Sequence, residues 1–463
     1  MRNSVLIDLS TATGCPEAGT CTEGLRATAP TADGVPMHVL LLCHALPPGS
    51  VGGVEQHVDG LARALAEQGD TVHVYARDTL AGLPQGSHRV EREAGPRITR
   101  VAYRWEGLRD LDDLYEVPEL DAAFDAFLRA SAARGEHFDV AHVHHLTGMS
   151  TGLLDRLAAA GIPTVMTLHD YWLPCPRGQM FHRHESRCDD LVPGRCGPCL
   201  EETFPHWVAP GSGEHQARRL HERAARLLRQ PAALVVPSAR ALPPFAQLGV
   251  DPSRVHLVEN GVDTHALAAL PDPACGPGPL RLGYLGTLLP SKGLAVLVQA
   301  VQRQPRGTVR LDVHGNAVPY HGDAGYLTRV FGSLQPGDPV HYHGPYGAAD
   351  LPRILADMDV ACAPALWHEA FGLTVREALA AGRPILVSRV GGLQDAVADG
   401  IGGRVLPPGD VAAWAEAIGA LAADRAATRR MARQARGQAR SFAAMASQLA
   451  GIYRAAVASP RRA

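Results

Sequence analysis

The chain has 463 residues, 46% apolar and 20% charged, with a formal net charge of −3. That length exceeds what one hydrophobic core usually serves, so two domains are expected. The composition is that of a soluble globular protein; it gives no general pull toward nucleic acid, and no run of about 18 apolar residues offers a transmembrane span.

Residues 1–36 lack a charged start followed by a sustained apolar core, so they do not read as a secretory signal. They are expected to be a flexible extension, rich in Thr, Ala, Gly and Pro. A cytoplasmic setting follows, in which most of the nine cysteines are reduced thiols or metal ligands rather than disulfides. From His38 onward, short β-rich runs alternate with helical ones. HVLLLC (38–43) reads as a strand, GGVEQHVDGLARALAEQG (52–69) as a helix, and TVHVYA (71–76) as the next strand. FDVAHVHH (138–145), PTVMTLH (163–169), ALVVPS (233–238) and RVHLVEN (254–260) continue a first unit assigned to 37–260. RLGYLG (281–286), VRLDVHG (309–315), PVHYHG (339–344), MDVACAP (358–364), RPILVS (383–388) and GRVLP (403–407) build a second, assigned to 261–440. Strands separated by helices of ten or more residues predict parallel sheets with right-handed crossovers. The class is therefore α/β, with two open halves facing a cleft suited to an elongated ligand. The end of the chain, 441–463, is expected to be a helix returning to the first half.

Tyr171 to Ser212 breaks the alternation. It carries Cys175, Cys188, Cys196 and Cys199, spaced C-x12-C-x7-C-x2-C. Four thiolates complete a tetrahedral zinc shell, and a structural metal would order a segment without regular pattern. An iron–sulfur cluster, or four free or paired cysteines, are the other readings. The following helix, 213–229, is basic with an apolar strip of Ala217, Leu220, Ala224 and Leu227. It reads as an amphipathic helix packed on the sheet; any membrane contact is at most peripheral.

Two glycine-bearing turns open helices directly after strands: PPGSVGGVEQH (47–57), with Gly53, and EAFGLTVRE (369–377), with Gly372. Helix starts expose unpaired N–H groups and the positive end of the dipole, and glycine lets a phosphate approach the backbone. GYLGTLLPSKG (283–293) adds Lys292, expected in a first helical turn and notable in a chain where lysine is scarce. Glu369 lies at the mouth of the second helix and Glu377 about one and a half turns in. Sugar hydroxyls are donors that would suit both carboxylates. DMD (357–359) runs into an apolar strand and reads as a helix end, not a metal motif.

The E-x7-E pattern of HEAFGLTVRE resembles that of the retaining glycosyltransferases of family 4, which have the GT-B fold of two Rossmann-like domains. ENGVDT (259–264), GTLLPSKG and SVGGVEQHVDGLARALAEQG resemble the family's hinge, phosphate turn and amino-terminal glycine loop. Loops with cysteines after HDYW occur in some members. The resemblance implies an acceptor in the first domain and a UDP- or GDP-sugar in the second. Glu369 would then bind the donor sugar and Glu377 the ribose. Phe371, Gly372 and Leu373 would lend backbone contacts, and Lys292 and Gly53 would meet the diphosphate. His144 matches the family's active-site histidine, and His169, beside Asp170, a second cleft position. Thr287 departs from the pattern, standing where an arginine is frequent, so Lys292, helix dipoles or an arginine elsewhere in the chain would carry more of the phosphate charge.

The expected chemistry is sugar transfer to a hydroxyl of a small-molecule or glycan acceptor, without a catalytic cofactor or metal. Lys292 and the helix mouths would stabilise the departing diphosphate. No acid–base carboxylate pair of the glycosidase kind is needed. Rival readings are a sugar-nucleotide 2-epimerase on a similar scaffold and a non-catalytic, metal-stabilised sugar-nucleotide binder.

Overall fold

A computed structural model describes residues 34–50, 52–92, 95–273, 276–321 and 323–459. The expected extension at 1–36 lies outside the described residues, apart from its last three. Eight strands form the first sheet: β1 (His38–Cys43), β2 (Thr71–Asp78), β3 (His88–Arg92), β4 (Arg97–Ala102), β5 (Val140–Val143), β6 (Thr164–Thr167), β7 (Ala233–Val236) and β8 (Val255–Leu257). Their order is β3-β4-β2-β1-β5-β6-β7-β8, and all pairs are parallel except β3 with β4. The second sheet holds β9 (Leu280–Leu285), β10 (Val309–His314), β11 (Val340–Tyr342), β12 (Val360–Ala363), β13 (Ile385–Ser388) and β14 (Gly403–Leu406). Its order is β11-β10-β9-β12-β13-β14, parallel throughout. The near-continuous apolar strands follow from burial on both faces, as parallel sheets require.

Each sheet reverses its winding once, at β1/β5 and at β9/β12, and ligands of open α/β sheets bind outside the strand ends at such points. The turns after β1, β5, β9 and β12 are those that hold Gly53, His144, Lys292 and Glu369. The helix Phe442–Ala458 crosses back onto the first sheet, where Met445, Leu449 and Tyr453 share a core with Val39, Leu41, Val58 and Leu61.

Several details differ from the expectation. The hairpin β3–β4 was missed because its charged residues mask the apolar ones; Arg100 is buried with its guanidinium received by Glu91, Asp78 and the carbonyls of Leu46 and Pro47. Within 171–212, Pro193–Thr203 is a helix whose internal Gly197 and Pro198 hid it. Lys292 is not in an α-helical first turn: it ends a short 3-10 turn, Pro290–Lys292, and the helix Leu294–Gln302 begins after Gly293. The DMD triplet is a helix end, as read: Asp359 is fully buried and ion-paired to Arg281 and Arg425.

Candidate functional site

A cavity of about 240 Å³ lies between the two switch points. Gly52, Gly53 and Gln56 line it from the first half; Thr287, Lys292, Glu369, Gly372, Leu373, Thr374 and Glu377 line it from the second. The helix Gly53–Glu67 starts at a glycine pair, and a side chain added at Gly53 would meet nothing, so its Cα faces open space. The helix Leu373–Ala380 starts at Gly372, whose φ of +81° is left-handed. A glycine relieves that conformation of strain. Each helix mouth leaves backbone N–H groups unpaired at the cavity.

Lys292 is the only lysine of the whole chain. Its Nζ lies 2.5 Å from Glu369 Oε2 and 5.0 Å from the Trp367 ring centroid. The Trp367 indole N–H donates to the same oxygen at 3.1 Å. Glu369, which looked uncompensated at an anion site, is therefore held by two donors, both at Oε2. No arginine or histidine lines this cavity among the described residues, so Lys292 is its single cation. Thr287 lines it too, and nothing in the wall replaces the charge of an arginine there.

Glu377 sits deeper. Burial pushes its carboxyl up to about 7, because the cavity floor withholds the water that would stabilise its charge. Phe371, by contrast, faces away: it is buried, and its carbonyl receives the Arg376 guanidinium. The same guanidinium donates to Gly392 O at 2.9 Å, and Gly392 N–H donates to Glu369 O at 2.7 Å. Gly391 and Gly392 thus brace the Glu369 turn from behind. A Cβ on Gly391 would stand 2.2 Å from the Glu369 carbonyl oxygen. Sequence reading missed this pair, although two adjacent glycines just after β13 were the available signal. It also missed Gln56, Tyr284, Asn316 and Tyr346 in the wall, which no motif marks.

His144, His169 and Asp170 are not part of that wall. They border a separate cavity of about 30 Å³ in the first half, with His145 and Trp172. His144 Nδ1 and His169 Nε2 are 3.0 Å apart and share a hydrogen bond. The His57 ring stands 4.7 Å from that of His169 and 5.2 Å from that of His144. Among the described residues, these three imidazoles are the one group of metal-capable side chains whose ligand atoms all lie within 4.8 Å of one another. Burial holds all three well below the usual imidazole range, so they are neutral. Neither ring nitrogen of His57 has a partner, nor has His144 Nε2. Asp170 accepts from Trp172 N–H and faces His145 Nε2 at 3.2 Å; burial opposes its charge, but these partners keep it ionised. The HDYW turn reaches the donor side through Tyr171, whose ring is 6.4 Å from that of Trp367.

The four cysteines surround one apolar cavity of about 40 Å³ in the insertion. A wider cavity of about 540 Å³ lies where the insertion meets the second half. It mixes Arg177, Arg183 and His321 with Glu185, Glu202 and Asp323. The smaller cleft at the switch points, not this one, gathers the residues with convergent chemistry.

Two family models match the chain: one described as Glycosyltransferase Family 4 over residues 51–266, and one described as glycosyl transferases group 1 over residues 279–424. A D-inositol 3-phosphate glycosyltransferase of Xylanimonas cellulosilytica is 30% identical over 429 residues, spanning 88% of this chain and 93% of that protein. An MMP alpha-(1->4)-mannosyltransferase of Mycolicibacterium hassiacum is 30% identical over 432 residues, 88% of this chain and 95% of the relative. Among solved structures, sucrose-phosphate synthase of Thermosynechococcus elongatus superposes with a TM-score of 0.68 at 22% identity, covering 90% of this chain and 98% of that one. Anabaena HepE in complex with UDP-glucose gives 0.62 at 17% identity, covering 90% and 100%. The structural likenesses carry the fold: two facing Rossmann-like domains.

Proposed function

Because the chain belongs to the family 4, group 1 glycosyltransferases, we propose that it transfers a sugar, with retention, from a UDP- or GDP-sugar to an acceptor hydroxyl. The observation that supports this most is the Lys292–Glu369 pair facing Gly53 and Glu377 across one cavity. A diphosphate between the two helix mouths would draw Lys292 Nζ toward its oxygens. Glu369 would keep the Trp367 N–H and accept donor-sugar hydroxyls in place of the ammonium. Glu377, at the floor, suits a pair of ribose hydroxyls. As the glycosidic bond lengthens, negative charge grows on the diphosphate, where one ammonium and the helix N–H groups are already oriented. The acceptor would enter from the first half. There His144 is assigned a positioning role through His169, since it does not itself line the donor cavity.

Catalysis needs no metal in this scheme. An epimerase would need acid and base carboxylates free in the cleft, yet Glu369 is engaged by Lys292 and Trp367. Small molecules and glycans are both proposed as acceptors; the name of the inositol-phosphate relative suggests a phosphorylated polyol, and that of the mannosyltransferase a mannoside, among those to try first. The test is transfer from UDP-glucose and a panel of other UDP- and GDP-sugars, with the product anomer read by NMR. Lys292→Ala and Glu369→Ala should each lower kcat/KM on the order of a hundredfold. Unchanged rates in both variants would refute the site. An inverted anomer would refute retention, and a rate that needs added Mg²⁺ or Mn²⁺ would refute metal independence.

A further inference from the structure

We propose that Cys175, Cys188, Cys196 and Cys199 bind one zinc ion, and that this ion fixes the insertion as a strap across the cleft, holding both donor loops. All four thiols line one small apolar cavity, and none is in a disulfide. Cys196 and Cys199 lie three apart on the helix Pro193–Thr203, hence on one face of it. Cys188 is tied by its N–H to Met180 O, which brings it back toward Cys175. Between Cys175 and that helix the chain has no strand or helix, only an isolated bridge between Phe181 and Arg187. Such a segment lacks its own ladder of backbone bonds, and a thiolate-bound metal supplies folding free energy directly.

The ligand set is soft, as zinc sites of this kind require. Arg177, Arg195 and Asp190 border the same cavity, and Asp190 pairs with Arg195 at 2.7 Å, so Arg177 is left to offset part of the net −2 of a zinc with four thiolates. The sulfurs are spread wider than the 4.8 Å span of the three-histidine group. A shell with edges of about 3.8 Å therefore requires side-chain rotation inward, which staggered cysteine rotamers allow.

The strap follows from two hydrogen bonds. Gln179, between the first two cysteines, accepts from Ser291 Oγ at 2.6 Å. Asp189, directly after Cys188, lies 2.7 Å from His368 Nε2. Ser291 and His368 immediately precede Lys292 and Glu369. Metal binding is independent of the proposed reaction; the strap's importance rests on Lys292 and Glu369 serving the donor.

Elemental analysis of the full chain purified without chelators should give one zinc per chain. The four thiols should resist Ellman's reagent until a chelator is added. Absence of zinc, iron with inorganic sulfide, or two disulfides by mass would overturn the assignment. Cys196→Ser/Cys199→Ser should lose the zinc; if that variant does not fold, the wild-type stoichiometry still decides. Removing zinc should speed hydrogen exchange about tenfold within 175–204 and also at 289–293 and 366–370. Faster exchange confined to the insertion would overturn the strap.

Discussion

Lys292 is a single lysine among 463 residues, so its chemistry can be read without competition. An amine-directed reagent such as pyridoxal phosphate with borohydride should label only Lys292 and the chain terminus. A bound donor should protect Lys292, because the diphosphate would occupy its ammonium. Peptide mass mapping checks this, and labelling unchanged by any UDP- or GDP-sugar would remove Lys292 from the donor site. Glu377 yields a pH prediction. Its carboxyl, raised by burial from 4.5 to about 7, favours the protonated fold. Its stabilising contribution is full below pH 4.5 and lost as pH rises through about 7. Donor binding runs the other way, since the charged carboxylate accepts hydroxyls better. Nucleotide-sugar affinity should thus weaken as pH falls below about 7, and Glu377→Gln should flatten that dependence in a calorimetric titration.

At the level of elements, the turn after β12 is shaped by what lies behind it. Gly391 has φ +43°, and a Cβ there would press on the Glu369 carbonyl, which is backbone and cannot swing aside. Gly372 has φ +81°, but its added Cβ would meet only a Leu393 methyl, the end of a side chain that can move. Left-handed backbone costs an alanine about 1–2 kcal/mol at either position. Gly391→Ala should therefore lose more transfer activity than Gly372→Ala, with a larger fall in Tm. Equal kinetic losses would show that the brace does not position Glu369. Arg376 ties this turn to the hinge: buried beneath Phe371, it also lies 3.4 Å from Glu259.

Across the whole molecule, several polar contacts join the two halves, Arg376–Glu259 among them. Ser238 and Arg240 hold Asp395 at 2.5 and 2.7 Å, and the insertion adds the Gln179 and Asp189 contacts. The first half also buries a histidine group. His142 bonds Tyr453 of the returning helix at 2.6 Å and Thr167 at 2.7 Å, with its ring 4.0 Å from that of His144. Burial depresses the folded-state imidazoles of His57 (to about 3), His142, His144 and His169 below 6.5. Their neutral packing contributes fully above pH 6.5, and the contribution falls with pH below it, at up to about 1.4 kcal/mol per imidazole per pH unit. Urea unfolding midpoints should drop steeply between pH 6.5 and 4; a flat profile would contradict the buried cluster. Deleting 441–463 should expose Val39, Leu41 and Leu61 and leave the rest aggregated on gel filtration.

Strand and helix alternation, the glycine turns and Glu369–Glu377 were legible in the sequence because they are local: period, turn chemistry and spacing fix them within a few residues. His144 of HVHH and His169 of HDYW were legible as motif residues, but their burial away from the donor cavity was not. Nor could the sequence show that Lys292 meets Glu369, 77 residues on, that Gly391 braces the Glu369 turn, or that Gln179 and Asp189 reach the donor loops. Those contacts join residues far apart in the chain, and only the order β9-β12-β13 and the seating of one half on the other bring them within hydrogen-bond reach.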